Sequence, residues 1–386
     1  MPTVKPTPWL SGASSICADT NALTLVSLPG LPASATVLPS LRRTFALSFS
    51  PQDQWVLYIY TAAGAPCTTV HLDAALFSGI TLESGWDHAL LLDTPSGLAY
   101  SFGLAEGPPG TPPPIPHPLT FKGRVTSLAC GEKHSAAVVE GRVYTWGASR
   151  CNALGLWGEE EGGAPFTAAS PTDTLPANSL LSSDDGEVFI SVRSGWGFCC
   201  ALSSHARVAV WGANKHGQCA SSPCKWVVPT WVREGGKDHD YLRATSLACG
   251  WSHCIAIKAA TSPEGWCFFS WGRGDMGQLG RGCPKPVDGT HTPGVVAGVD
   301  CTCGAISPPS SPTAVCGSES TIVALPCGQC VWAWGWNEHG NLGVGEGLES
   351  RWEPTRVPLP PGMRVHQGGV RAAGATLIME LTSGMA

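Results

Sequence analysis

Charge is scarce in this sequence. Asp, Glu, Lys and Arg make up 13 % of 386 residues, and no basic cluster exceeds a pair such as Arg42-Arg43. A protein that grips nucleic acid carries a basic face or tail. With neither, and a net charge of −6, this chain is not expected to bind nucleic acid directly. No apolar run approaches the length of a membrane span. The first twenty residues lack a charged start followed by an apolar stretch, so no secretory leader is expected. Asn-x-Ser/Thr is absent. The phosphate-cradling pattern Gly-x4-Gly-Lys-Ser/Thr is absent too, since Gly236-Lys237 is followed by Asp238. No Gly-x-Ser-x-Gly nucleophile elbow occurs. Acyl-transfer and nucleotide-hydrolysing chemistry therefore have no sequence support.

Gly (47), Pro (33) and Cys (17) are plentiful. The cysteines fall at apolar positions such as Cys199, Cys200 and Cys254 and are not spaced as a disulfide framework. They read as reduced core residues of a cytoplasmic protein, with a nuclear pool also open. Short apolar runs between Gly- and Pro-rich turns favour many short strands.

One unit recurs: a Gly turn ending in His, an apolar strand, a hairpin, and a strand ending in Trp-Gly. Good copies run Ala129 to Gly147, Ser194 to Gly212, Ala248 to Gly272 and Val315 to Gly335. A weaker one, Ser84 to Gly103, has Phe102 in the Trp slot. Degenerate copies are Thr44 to Ala63 and Val370 to Glu380. The aromatic slot falls at Phe102, Trp146, Trp211, Trp271 and Trp334, at intervals of 44, 65, 60 and 63 residues. A repeat of that length with two strands per copy fits a propeller blade. The expected fold is all-β: a single β-propeller over residues 1–386, its first 80 or so residues holding degenerate repeats. Seven blades are expected, with six as the alternative. The strand Ala375 to Met379 is expected to pair with the segment near Trp9 and close the ring, which removes free sheet edges. Leu104 to Pro118, Trp157 to Glu187, Cys224 to Asp240 and Gly282 to Pro312 read as long insertions.

The turn histidines His88, His134 and His253 share their slot with Phe198 and Ser320, so they read as packing residues and not as a catalytic or metal ring. Cys327-Gly328-Gln329-Cys330 falls on a hairpin, away from the helix N-terminus that activates redox dithiols, and reads as two ordinary thiols. Cys301 and Cys303, taken with Cys283 and His291, match no standard zinc spacing. No cofactor, metal or catalytic residue is expected.

The five copies resemble the regulator-of-chromosome-condensation repeat family, from Ser84 to the C-terminus. Val208 to Ala220, Phe269 to Arg281 and Val331 to Gly347 resemble its secretion-regulating guanine nucleotide exchange factor subfamily. The stretch Trp334 to Gly340 is also similar to a fungal relative, the alpha-tubulin suppressor. The first resemblance implies a regulator or adaptor of a small GTPase, linked to secretion, with exchange activity as the one activity open; separately, the chain is expected to be a monomer. The second implies a scaffold for a small zinc-binding protein in diphthamide synthesis and wobble-uridine tRNA modification.

Independently of either resemblance, three Trp-Gly loops carry unlike polar tips. They are Asn214, Lys215 and His216; Arg273 and Asp275; and Trp336, Asn337, Glu338 and His339. Repeated geometry places them on one face, where a scaffold's loops gather binding residues. These nine residues are the expected partner-binding set.

Overall fold

The computed structural model describes residues 7–11, 24–25, 36–39, 44–49, 55–60, 66–72, 80–86, 88–103, 116–149, 151–156, 166–173, 175–181, 186–235, 240–259, 265–282, 290–303, 310–338, 340–345, 347, 349–373 and 376–383. Seven four-stranded antiparallel sheets form from them, the blades of a β-propeller. Strands are lettered a to d from the axis outward. Blade I comprises Thr36–Pro39, Thr44–Phe49, Trp55–Tyr60 and Pro66–Leu72. Blade II comprises Ile80–Ser84, His88–Asp93, Leu98–Gly103 and His117–Leu119. Blade III comprises Val125–Cys130, His134–Val139, Arg142–Ser149 and Phe166–Asp173. Blade IV comprises Phe189–Ser194, Phe198–Ser203, Val208–Asn214 and Cys224–Trp231. Blade V comprises Ser246–Cys249, His253–Ala259, Trp266–Gly272 and Gly294–Val296. Blade VI comprises Thr313–Cys316, Ser320–Ala324, Val331–Gly335 and Arg351–Arg356. Blade VII comprises Met363–Ala373, Thr376–Ser383, Thr7–Ser11 and Thr24–Leu25. One four-residue helix, Leu175–Asn178, follows blade III. No helix among the described residues is long and apolar enough to cross a membrane.

Burial explains why strands b and c were legible and strand d was not. Strand b is covered on both faces by neighbouring blades: His134–Val139 and Phe198–Ser203 are buried at every position. Such strands read as continuous apolar runs. Strand d is the outer edge, and Cys224–Trp231 and Arg351–Arg356 are largely half-buried or exposed. Edge strands tolerate proline because one side of the ladder needs no partner. Pro118, Pro171, Pro229 and Pro354 all lie in strand d. This corrects the reading of four long segments as insertions between blades. The segments beginning at Leu104, Trp157, Cys224 and Gly282 each contain the fourth strand of a blade.

Apolar clusters fill the spaces between blades. Val138, Val192, Ala201 and Trp211 pack between blades III and IV, and Leu202, Val210, Ala256 and Trp271 between IV and V. The ring closes with strands from both ends of the chain. Thr7–Ser11 pairs with Leu377–Leu381, with Trp9 opposite Met379. The segment Val370 to Glu380 is not one strand, however. It spans the end of strand a and most of strand b of blade VII.

Removing residues 1–20 strips strand c from blade VII and bares the edge of Thr376–Ser383. The expected result is a melting temperature lower by roughly 5 °C or more, read by calorimetry. An unchanged transition would show that this closure does not hold the ring.

Candidate interaction face

The Gly turn between strands a and b sets the geometry at the mouth of the central channel. Backbone bonds pass from turn to turn around it. Trp86 N–H donates to the Glu132 carbonyl (3.3 Å), Glu132 to Trp196 (3.1 Å), Trp196 to Trp251 (3.0 Å) and Trp251 to Ser318 (3.2 Å). They link blades II to VI in series. The His slot turns inward from this belt. His88 Nε2 meets Ser135 Oγ at 2.9 Å, His134 Nε2 meets Cys199 Sγ at 3.3 Å, and His253 Nε2 meets Thr321 Oγ1 at 3.0 Å. Each partner lies on strand b of the following blade. Burial lowers the His134 pKa to about 3 and the His253 pKa to about 4, so both are neutral latches at physiological pH. Glycine is required beneath them: a Cβ at Gly131 or Gly250 would collide with the ring of His134 or His253.

The Trp-Gly loops stand beside these turns on the same face. The residue after each Trp-Gly donates its N–H to a turn carbonyl. The pairs are Ala148 to Lys133 (2.8 Å), Ala213 to Gly197 (2.9 Å), Arg273 to Ser252 (2.8 Å) and Trp336 to Glu319 (2.8 Å). That approach forces φ near +100° at Gly147, Gly212, Gly272 and Gly335, where any Cβ would strike the same carbonyl. Three of the preceding indoles reach one blade back. Trp211 Nε1 donates to Ala153 O (3.1 Å), Trp271 to Gln218 O (3.0 Å) and Trp334 to Gln278 O (2.9 Å).

The structure divides the nine expected residues. Asn214 and Asn337 are buried and shape their loops. Asn214 Oδ1 accepts from Cys219 N–H at 2.8 Å, and Asn337 Oδ1 from Leu342 N–H at 3.1 Å. They are withdrawn from the set as surface contacts, because their amides are consumed within the loop. Lys215, Asp275 and Glu338 are exposed, and His216, Arg273 and Trp336 are half-buried. His339 lies outside the described residues.

Arg273 forms ion pairs with Asp275 (2.7 Å) on its own loop and Glu319 (2.8 Å) on the blade VI turn. Partial burial works against its charge, but the two carboxylates hold its pKa above the ordinary value. Burial lowers the pKa of His216, and Arg273 and Lys215 lower it further against the pull of Asp275. The blade IV tip therefore lies within the field of the blade V tip.

Glu319 escaped sequence reasoning, as did the residues at the channel mouth. Trp86, Trp196 and Trp251 gather there: Trp196 lies 5.2 Å from Trp86 and 4.5 Å from Trp251 between ring centroids. All three are half-buried. Their signal was a second recurring Trp, directly after the turn glycine in three copies. Below them runs a channel of about 620 Å³ lined by strand a, with Glu83, Arg193 and Arg371 in its wall. Enclosure raises the Glu83 carboxyl pKa, and Arg193 and Arg371 oppose the shift. The face thus has an indole hub at its centre and charged tips on an arc around it. Aromatic and Arg anchors with a polar surround are the usual make-up of a protein-binding surface.

The family described as "Regulator of chromosome condensation (RCC1) repeat" matches residues 330–375, from the end of the blade VI hairpin into blade VII. The bovine secretion-regulating guanine nucleotide exchange factor is 28 % identical over 304 residues, covering 74 % of this chain. The match spans 60 % of that relative's length. Human WBSCR16 shares the fold with a TM-score of 0.72 at 19 % identity, covering 99 % of this chain and all of that one. Prp20p from Saccharomyces cerevisiae has a TM-score of 0.70 at 18 % identity, covering 99 % and 93 %.

The buried histidines predict acid sensitivity. A folded pKa below the ordinary value near 6.5 means that the unfolded chain binds more protons. Stability is therefore lost as pH falls from about 6.5 toward the folded values near 3 and 4. His134→Phe, copying the residue at Phe198, should flatten the dependence of melting temperature on pH between 7 and 5. An unchanged slope would mean that His134 does not carry the effect.

Proposed function

We propose that this chain, which belongs to the regulator of chromosome condensation repeat family, is a protein-interaction propeller that regulates a small GTPase through the face built by its Gly turns and Trp-Gly loops. The observation that carries this reading is the joint placement of an indole hub and a charged arc on one rigid face. Supporting it, the bovine relative is named an exchange factor, and Prp20p, which shares the fold, binds Gsp1p and histones.

Regulation of this kind needs no acid, base or nucleophile from the propeller. An exchange factor binds the nucleotide-free GTPase more tightly than the loaded form, and that difference in affinity drives nucleotide release. Lys215, His216, Arg273, Asp275, Trp336 and Glu338 are the contact residues in this reading, with Trp86, Trp196 and Trp251 at the centre and Glu319 aligning Arg273.

Arg273→Ala and Trp336→Ala should each weaken partner binding by about 2 kcal/mol, measured by calorimetric titration on folded protein. Arg273→Ala should also cost up to about 1 kcal/mol of stability, because its pair with Glu319 joins blades V and VI. Affinity capture from the native cell, followed by release of labelled GDP from the captured GTPase, tests the activity. Capture of a small zinc-binding protein and no GTPase would overturn the GTPase reading and support the scaffold role. Full binding by the double variant would move the contact surface off this face.

A further inference from the structure

Two cysteine pairs that lie far apart in sequence meet on the opposite face of the ring. Cys301 and Cys303 lie in the segment entering blade VI. Cys327 and Cys330 lie on the hairpin between strands b and c of that blade. All four sulfurs lie within 4.8 Å of one another. Cys301 is exposed, Cys303 half-buried, and Cys327 and Cys330 buried. We propose that Cys301, Cys303, Cys327 and Cys330 bind one zinc ion through four thiolates.

Zinc holds thiolates tetrahedrally at about 2.3 Å, which sets sulfur–sulfur edges of about 3.8 Å. Cys301 and Cys303 stand at 3.4 Å, and Cys330 and Cys301 at 4.0 Å. Closing the group around an ion asks for movements of under about 1 Å. The backbone is arranged for thiolates as well. Gly328, at φ +69°, makes the turn that carries Cys327 and Cys330. The Cys330 sulfur accepts from Thr302 N–H at 3.4 Å, across the gap between the two pairs.

A four-thiolate zinc centre carries a net charge of −2, and a cation stands beside it. The Arg356 guanidinium donates to Thr302 Oγ1 in one pair and to the Gln329 carbonyl, at 3.3 Å, in the other. Trp332 Nε1 holds the Asp300 carbonyl at 3.1 Å, fixing the approach to Cys301. Outer groups that orient ligands in this way are a regular part of metal sites. The expectation of ordinary thiols considered each cysteine pair separately. The suggested co-ligand Cys283 lies outside the described residues, and His291 packs against Gly217.

The ion would tie the blade V–VI connection to the blade VI hairpin. That hairpin also receives blade VII, since Val365 N–H donates to Gly328 O at 2.7 Å. The site would therefore brace the part of the ring next to its closure.

The test uses the full chain, purified with reductant and without chelator. Mass spectrometry of the metal should find about one zinc per chain. Cobalt(II) added to metal-stripped protein should give the near-ultraviolet sulfur-to-metal charge-transfer band and intense visible bands of tetrahedral thiolate cobalt. Cys301→Ser, at an exposed position, and Cys327→Ser should both reduce zinc to background. Cys224→Ser, at an exposed thiol elsewhere, should retain it. Background zinc in folded wild-type protein with no cobalt–thiolate band would overturn the site. So would full zinc in Cys301→Ser, or a Cys327–Cys330 disulfide in the intact mass under reductant.

Discussion

The indole N–H groups of Trp211, Trp271 and Trp334, each fixed on a carbonyl of the blade before, make the contact on which the rest of this molecule depends. Trp211, Trp271 and Trp334 are fully buried, and each satisfies its one polar atom one blade back. A buried Trp gives large apolar area, and its N–H needs a partner when water is excluded. Meeting both needs at one place fixes both the spacing and the rotation of neighbouring blades. The carbonyls that accept are those of Ala153, Gln218 and Gln278, and the last two lie within loops that carry the candidate site. Blade packing and loop shape are thus one constraint.

The latch histidines act from the other direction. They reach forward to the next blade where the indoles reach back, so blades III, IV and V are each held on both sides near the same face. That face is consequently the rigid one. Its loops are closed by internal amides, such as Gln218 Oε1 accepting His216 N–H at 2.9 Å and Gln278 Oε1 accepting Met276 N–H at 2.8 Å. Tips held this way lose little freedom on binding, which favours affinity from few contacts. The charged side chains on them are partly satisfied already: Arg273 faces a partner with two carboxylates in place. A partner must therefore complement a preset pattern.

The opposite face follows different rules. Its b–c hairpins differ in sequence from blade to blade, as between Val139 and Arg142, Ser203 and Val208, and Ala324 and Val331. In blade VI that freedom is used to bring four thiols together. A site of this kind can arise on one hairpin and the connection beside it without disturbing the other blades, because each blade contacts only its neighbours.

The repeat, its period and the two middle strands of each copy were legible in the sequence because strand b is covered on both sides and strand c ends in the aromatic-Gly pair. The closing pair near Trp9 was legible because an open edge would be left without it. The histidines were legible as packing residues because Phe198 and Ser320 share their slot. Strand d was hidden, since an outer edge carries prolines and no apolar alternation. Asn214 and Asn337 looked like surface tips because a polar residue in a loop gives no sign of where its amide turns. Only the tertiary structure brought Glu319 to Arg273, Trp196 to Trp86 and Trp251, and Cys301 and Cys303 to Cys327 and Cys330. These groups come from different blades or connections, and their distances are set by the rotation between blades. The sequence determined the blade, through burial repeated along the chain; the ring decided which side chains meet, because that depends on the angle at which one blade packs on the next.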